Sequence, residues 1–270
     1  MTEAYPRIRL VESDAEVARL LVRDVVRIVL YLPHGHVELG ARIEQALAIY
    51  RQAVGDVLRR AWDSEGESFP LTEAGWRELL ASLRPSASFR FIEELPEDSD
   101  SFQRMTRLQV ECSWILTGDD FDGYSVRYLA RLPSKTFLEG SVSVLSATLP
   151  TEYLELHGPG RARELALSLA SVLPLASGHA GLALEFAGVR RKVLPLVREE
   201  LLRYPGVDVP RADAHLSVGA RVDGVHWLNF LGTSLLQSVG GIETLRGRLH
   251  SSGSTVQEDE VHHWWRRFLD

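Results

Sequence analysis

The sequence of 270 residues has an apolar fraction of 45% and a charged fraction of 25%, which are the proportions of an ordinary globular protein rather than of a disordered or fibrous one. Its formal net charge of −7 argues against a nucleic-acid binder, because such proteins carry a basic domain or stripe, and it favours a basic partner. The single cysteine, Cys112, excludes an internal disulfide framework and a thiolate-rich metal site.

Two strands are predicted at the start of the chain. The runs RIRLVE (7–12) and VRDVVRIVLYLP (22–33) are rich in β-branched residues. Pro33 and Gly35 close the second run, because proline and glycine interrupt regular structure. We therefore expect the second strand to end near Leu32.

Two helices are predicted next. Apolar residues recur at three- and four-residue steps from Val37 to Trp62, which is the period of one face of a long helix. Thr72 is a suitable N-cap for a second helix, and Pro85 lies just beyond its expected end.

After Pro85 the pattern changes to an alternation of apolar and polar residues. Four runs bounded by turn residues show it: SFRFIEEL (88–95), TRLQVECSWIL (106–116), YSVRYLARLP (124–133) and GSVSVLSATLP (140–150). This alternation is typical of half-buried strands. We predict four successive strands, mostly antiparallel.

Helices return in the last part of the chain. The predicted elements are a helix over 159–172 stopped by Pro174, a strand over 179–186, a helix near 191–204 and a strand near 216–222. The segment WLNFLG (227–232) is compatible with a strand or a helix. Runs of strands framed by helices indicate the α+β class, with a mostly antiparallel sheet flanked by helices.

The domain organisation and the location follow from features that are missing from the sequence. No repeat, low-complexity tract or long linker divides the chain, so we predict a single compact domain over 1–270, or two tightly packed halves over about 1–135 and 136–270. No apolar run has the length of a membrane span, and the N-terminus lacks a secretion-signal pattern. We expect a cytoplasmic protein.

Recognisable catalytic motifs are also missing. The sequence contains no GxxxxGK[ST] phosphate loop, no GxGxxG between a strand and a helix, no GxSxG and no HExxH. We therefore predict no catalytic residue, no cofactor and no metal site, and a protein that is not an enzyme.

The nine histidines keep one alternative open. We interpret His34 and His36 as residues of a polar turn, and His262 and His263 as part of a terminal helix. An enzyme whose site is assembled from distant residues would be hydrolytic and would use a histidine, with these candidates: His179, His215 and His226. A homo-oligomeric scaffold protein is the second alternative.

Acidic clusters are the most informative surface feature of the sequence. Three turn-like segments carry them: Glu93, Glu94, Glu97, Asp98 and Asp100 in the first, Asp119, Asp120 and Asp122 in the second, and Glu258, Asp259 and Glu260 in the third. The second segment, TGDDFDG, lacks the twelve-residue register of a calcium loop. The first two clusters are our candidate partner-binding residues, and their aromatic neighbours are candidate anchors: Phe91, Phe102, Phe121 and Tyr124.

The second half of the chain resembles a known family. The run LPTEYLELHGPGRARELALSLASVLPLASGHAGLALEF is followed by GVHWLNFLGTSLLQSVGGIETLRGRL, and this order looks like that of the TsiV-like type VI secretion immunity proteins. Trp227–Gly232 and the pair Gly240 and Gly241 carry the resemblance. We interpret Trp227 as a buried residue and the glycine pair as a tight turn, because an indole buries a large apolar area and paired glycines permit such a turn.

The resemblance implies a function. Proteins of this family are bacterial and cytoplasmic, and each neutralises a cognate toxin by stoichiometric binding. It further implies that the toxin gene is adjacent and that the toxin is a nuclease of the restriction-endonuclease type. An acidic inhibitor suits such a toxin, since its carboxylates can occupy a basic groove that otherwise receives phosphate.

Overall fold

A nine-stranded antiparallel sheet forms the centre of the protein in a computed structural model. The structure describes residues 5–12, 18–64, 66–84, 96–100, 102–103, 106, 110–119, 121–132, 140–187, 190–211, 213–219, 221–249 and 254–258. The strands are β1 (Leu10–Glu12), β2 (Arg19–Leu32), β3 (Arg60–Trp62), β4 (Ser68–Pro70), β5 (Val110–Thr117), β6 (Ser125–Arg131), β7 (Ser143–Pro150), β8 (Ser177–Phe186) and β9 (Leu228–Leu231). Their order is β4-β3-β5-β6-β7-β2-β8-β9, and β1 pairs with β2.

Helices flank this sheet. They are α1 (His36–Val54), α2 (Glu73–Ser82), α3 (Thr151–Ser171), α4 (Arg190–Val193), α5 (Arg198–Arg203), α6 (Thr233–Ser238) and α7 (Gly241–Arg248), with 3-10 turns at Leu194–Val197 and Ala214–Leu216. The predicted α+β class with an antiparallel sheet is therefore confirmed. None of the described helices combines the length and hydrophobicity that a membrane span requires.

The strand β2 lies in the middle of the sheet. It pairs with β7 on one side and with β8 on the other, so that Arg27 lies opposite Thr148 and Gly181. Its apolar run is buried because neighbouring strands cover both edges and other elements cover both faces. A strand of the first half of the sequence thus lies between two strands of the second half, while the single domain stays a prediction.

One face of the sheet carries the main hydrophobic core. Side chains of β2, β5, β6 and β7 pack there against α1, α2 and α3, and alternate residues of β2, such as Ile28 and Leu30, point into it. Ile43 and Leu47 of α1 meet them from the helix layer. The side chains that recur every second residue in the strands therefore pack against those that recur about every 3.6 residues in α1.

The opposite face of the sheet is covered at one end by irregular backbone and is more accessible near the other end. Ala214 and Val218 pack on Val29, Tyr31 and Val144 at one end of it. Near the other end the pattern of β6 alternates between buried residues on the core face and more accessible residues on this face. Antiparallel sheets commonly keep one face partly solvated.

The first long helix is shorter than its periodicity predicts. α1 ends at Val54, and Gly55 adopts a positive φ of 76°, a conformation that favours glycine and stops the helix. Residues Arg60–Trp62 form β3 and pair with β5. The predicted continuation to Trp62 is wrong, because the apolar residues after Gly55 face the core from an extended segment.

Two further helix predictions are corrected. α3 begins at Thr151, eight residues earlier than predicted, and Gly158 breaks it with a φ of 77° before the predicted part begins at Pro159. The predicted helix near 191–204 is interrupted by the 3-10 turn Leu194–Val197, since Pro195 cannot donate a backbone hydrogen bond.

Of the three remaining segments considered as strands, one forms a strand, one does not, and one lies outside the described residues. Leu216–Val222 was predicted as a strand and is wrong, because a 3-10 turn and irregular backbone carry Ala214 and Val218 onto the sheet. The segment WLNFLG contains β9, which pairs with β8 at the edge of the sheet. The predicted strand 88–95 lies outside the described residues.

Candidate partner-binding surface

The acidic turn, residues 118–124, joins β5 to β6. Gly118 donates its backbone N–H to the carbonyl of Tyr124 at 3.1 Å, and Asp122 donates its own N–H to the carbonyl of Asp119 at 3.0 Å. Phe121 has a φ of 60°, and it alone among the described residues other than glycine has a positive φ. These bonds hold the turn in one conformation.

The two described aspartates of the acidic turn have different roles. The Asp119 carboxylate is 75% exposed and lies 3.5 Å from the guanidinium of Arg59. Asp122 accepts the N–H of Tyr124 at 2.9 Å and is half-buried, and burial raises the pKa of its carboxyl group. Asp119 is therefore available to a partner, whereas Asp122 shapes the turn; Asp120 lies outside the described residues.

A buried arginine fastens the acidic turn to the rest of the fold. Arg23 of β2 donates to the carbonyl of Phe121 at 3.0 Å and to the carboxylate of Glu152 at 2.9 Å. Gly123 passes so close that a Cβ there would lie 2.8 Å from Nε of Arg23. A glycine at this position permits the close approach. Because Arg23 also binds Glu152, the turn is tied to the N-terminus of α3.

The acidic loop, with Glu97, Asp98 and Asp100, is exposed. Ser99 donates its N–H to the carbonyl of Pro96 at 2.9 Å, which forms a turn that presents the acids to solvent. Glu93 and Glu94 lie outside the described residues, as do Phe91, Asp259 and Glu260. Three of the candidate anchors are half-buried: Phe102, Phe121 and Tyr124. Glu258, which belongs to the third acidic cluster, is exposed.

The face of the sheet opposite the main core, which carries Val29, Tyr31 and Arg127, is called the open face. Next to the acidic turn, this open face carries charged residues that were not predicted as a site from the sequence. We call this region the arginine recess and define it by Arg27, Ser125, Arg127 and Glu185. Ser125 and Arg127 lie on β6, Arg27 on β2 and Glu185 on β8. The hydroxyl of Ser125 lies 3.3 Å from Oε1 of Glu185, so these side chains meet across two intervening strands.

The recess is a partly desolvated environment. Arg127 is an exposed residue, although the protein atoms around it lower the pKa of its guanidinium, an effect that Glu185 opposes. Burial likewise raises the pKa of the Glu185 carboxyl group, against the effect of Ser125 and Arg23. The alternation of apolar and polar residues within β6 could have revealed the position of Arg127, since it places this residue on the face opposite the core.

Among the residues that the structure describes, His179 has no carboxylate within hydrogen-bond distance that could complete a hydrolytic triad. His179 and His226 stack with ring centroids 3.9 Å apart, and Nε2 of His179 lies 4.0 Å from Asp208, which is beyond hydrogen-bond distance. The nearby hydroxyl of Tyr31 donates instead to Asp223 at 2.8 Å. Burial, reinforced by His226 and Arg27, lowers the pKa of His179 to about 3, so this imidazole is a very weak base.

The other described histidines among the candidates are buried or lie beside an acidic side chain. His36 is buried at the start of α1, with Nδ1 3.3 Å from the hydroxyl of Tyr128, and His215 is buried in the 3-10 turn that covers the open face. His34 lies 3.1 Å from Glu38, whereas His262 and His263 are outside the described residues. Among the residues that the structure describes, no three His, Cys, Asp or Glu side chains are grouped as a metal site would require.

Cys112, Trp227 and the glycine pair complete the sequence-predicted positions. Burial raises the pKa of the Cys112 thiol to about 12, so it stays protonated and unreactive. Trp227 is 48% exposed, although we expected a buried indole. Gly240 and Gly241 have φ values of 94° and 84° at the start of α7, as a tight glycine turn requires.

Comparisons with known proteins agree with this fold. Residues 42–262 match the family model TsiV, described as type VI immunity for VRR-NUC. The chain is also similar to the solved structure of the Pseudomonas aeruginosa T6SS protein PA0821, with a TM-score of 0.64 and 19% identity over 89% of this chain. This chain spans 64% of the length of that protein, and at this identity the likeness shows a shared fold.

No curated protein matches the chain. The TsiV match extends from α1 to beyond α7 and therefore covers most of the described elements. It confirms the resemblance carried by Trp227–Gly232 and by the glycine pair. The protein belongs to the TsiV family of type VI immunity proteins, which protect against VRR-NUC nuclease toxins.

Proposed function

We propose that this protein binds a cognate VRR-NUC toxin in the cytoplasm and covers the groove that would otherwise receive nucleic acid. The observation that carries the proposal is the family match over residues 42–262. The exposed acids of the acidic loop and of the acidic turn support it, since they carry the charge that a phosphate-binding groove attracts. The toxin is encoded, on this proposal, by an adjacent gene.

We further propose that protection is stoichiometric and needs no catalysis by this chain. His179 has a strongly lowered pKa, and its nearest carboxylate is not hydrogen-bonded to it. A general base needs a pKa near the working pH and a geometry that aligns it with its partners. His179 has neither of these properties, which supports binding rather than hydrolysis.

The direct test is to co-express this protein with the product of each adjacent gene. We expect one product to be toxic alone, to be tolerated in the presence of this chain, and to co-elute with it on a sizing column. Because binding is stoichiometric, rescue should fail when the toxin is in molar excess. The absence of any toxic neighbour, or rescue without a complex, would contradict the proposal.

Charge reversal of the acidic segments tests the electrostatic part of the interface. Replacement of Glu93, Glu94, Glu97 and Asp98 by lysine, and of Asp119 by lysine in a second variant, should slow association with the toxin. Steering by complementary charge accelerates association by about 10-fold or more at low ionic strength, so the difference should shrink as salt is raised.

Stopped-flow mixing at two salt concentrations measures this effect. A matched control reverses Glu73 and Glu78, which are exposed acids of α2 in the helix layer. Equal association rates for a reversed variant and the wild-type protein would remove that segment from the interface. Asp122 is kept in all variants because its carboxylate holds the turn.

A further inference from the structure

Arg127 has an unusual position for a charged side chain. It lies in the middle of β6, on the face opposite the core, between Ile115 of β5 and Ser146 of β7. Ile115 and Leu129 are half-buried apolar neighbours on the same face. A partner that covers this face would therefore enclose the guanidinium in a largely water-free environment.

The guanidinium of Arg127 makes no hydrogen bond and no ion pair with any residue in the described part of the chain. Two other arginines of the sheet are engaged: Arg23 binds Glu152 at 2.9 Å, and Arg27 lies 3.5 Å from Asp208. The charge of Arg127 also acts on Arg27 and lowers its pKa, in addition to the larger effect of burial. An anion placed between solvent and these two arginines would relieve that repulsion.

The surroundings favour one kind of anion. The whole chain carries a net charge of −7, and Glu185 and the acidic turn lie beside Arg127. A polyanion such as DNA would place many charges against these carboxylates, whereas a single carboxylate on a protein surface brings one negative charge, which the arginines can balance. The planar fork of a guanidinium also matches a carboxylate, with two parallel hydrogen bonds.

We infer that Arg127, supported by Arg27, is the receptor for an aspartate or glutamate side chain of the toxin, so that the open face of the sheet is part of the interface. The inference rests on the proposed function and deepens it, because it adds an arginine-centred contact to the acidic segments. The two contacts are contiguous: Ser125 follows the acidic turn directly and Arg127 lies two residues further on. The interface then combines a charge-steering rim with a specific central arginine.

The affinity of the purified protein for its toxin, measured by calorimetry, tests this inference. Arg127→Gln should weaken binding by about 30-fold or more, as expected when one partner of an enclosed ion pair is removed. Arg127→Lys keeps the charge but loses the fork, and it should fall between Arg127→Gln and the wild type. The thermal unfolding temperature should not change, because the native guanidinium has no hydrogen-bonded partner to lose.

Arg77→Gln is the matched control, since Arg77 is an exposed arginine of α2 without a hydrogen bond or ion pair to a described residue. It should bind the toxin as the wild type does. A scan that replaces the toxin's Asp and Glu by Asn and Gln should reveal one position whose effect is lost in the Arg127→Gln background.

Each contrary outcome is distinct. Wild-type affinity for Arg127→Gln would overturn the inference and leave the proposed function standing. Binding of duplex DNA that depends on Arg127 would overturn the assignment of the ligand as a protein carboxylate. If the wild-type protein does not bind the toxin, the proposed function fails, and the inference fails with it.

Discussion

Replacement of Asp24 by alanine should lower the free energy of unfolding by about 3–5 kcal/mol, the range found when a buried ion pair loses one partner. The Asp24 carboxylate is 1% exposed. It accepts the backbone N–H of Ile8 at 3.0 Å, Nε of Arg9 at 3.0 Å and the hydroxyl of Thr151. It therefore joins the N-terminal segment, β2 and the start of α3.

Removal of this carboxylate leaves buried donors without an acceptor. The N–H of Ile8 and the hydroxyl of Thr151 would each lose a hydrogen-bond acceptor in a place where water does not replace it. Because Arg23 and Glu152 connect the same region to the acidic turn, the loss should also loosen that turn. Toxin binding by the variant is consequently expected to weaken even under conditions in which it stays folded.

Urea unfolding followed by tryptophan fluorescence measures the change. Asp56→Ala is the control, since Asp56 forms only an exposed pair with Arg51 at 3.0 Å, and exposed pairs contribute about 0–1 kcal/mol. A loss of less than about 1 kcal/mol for Asp24→Ala would show that the buried network is dispensable for stability.

Ile43→Ala should cost about 2–5 kcal/mol of unfolding free energy, because deletion of a fully buried side chain removes apolar contacts and leaves a cavity. Ile43 is 0% exposed and lies in the main core, where α1 packs on the sheet. The effect should appear as a shift of the urea midpoint with an unchanged dependence on urea concentration.

Val37→Ala, on the same helix, is the control for this prediction. Val37 is 47% exposed, so its truncation removes little buried area and should change stability by about 0.5 kcal/mol or less. Equal losses for the two variants would contradict the packing of α1 through its Ile43 face. The comparison separates loss of core packing from any change in helix propensity.

Much of the secondary structure was predictable from short stretches of sequence. The alternation in β5, β6 and β7, the apolar run of β2 and the period of α1 all depend on residues within about fifteen positions. The N-cap at Thr72 was correct, and its hydroxyl accepts the N–H of Gly75 at 3.3 Å. The glycine turn before α7 was predictable for the same reason, since it depends on local backbone freedom.

The errors occurred where a distant contact decided the conformation. The apolar residues between Gly55 and Trp62 continue a helical period, yet Arg60–Trp62 pairs with β5, about fifty residues later in the chain. Leu216–Val222 has a strand-like composition, yet Val218 and Ala214 pack on the sheet from irregular backbone. In both cases burial against a remote element outweighed local propensity.

The fold class, most elements, the acidic character of two exposed segments and the family to which the chain belongs could all be predicted from the residues alone. Two features became visible in the folded chain: Asp122 supports its turn while Asp119 faces solvent, and Arg27, Arg127 and Glu185 lie on one face. This difference arises because side-chain alternation assigns each residue to a face, whereas the order of strands is set by the packing of the whole chain. Because β2 lies between β7 and β8, residues that are remote in sequence become neighbours across the sheet.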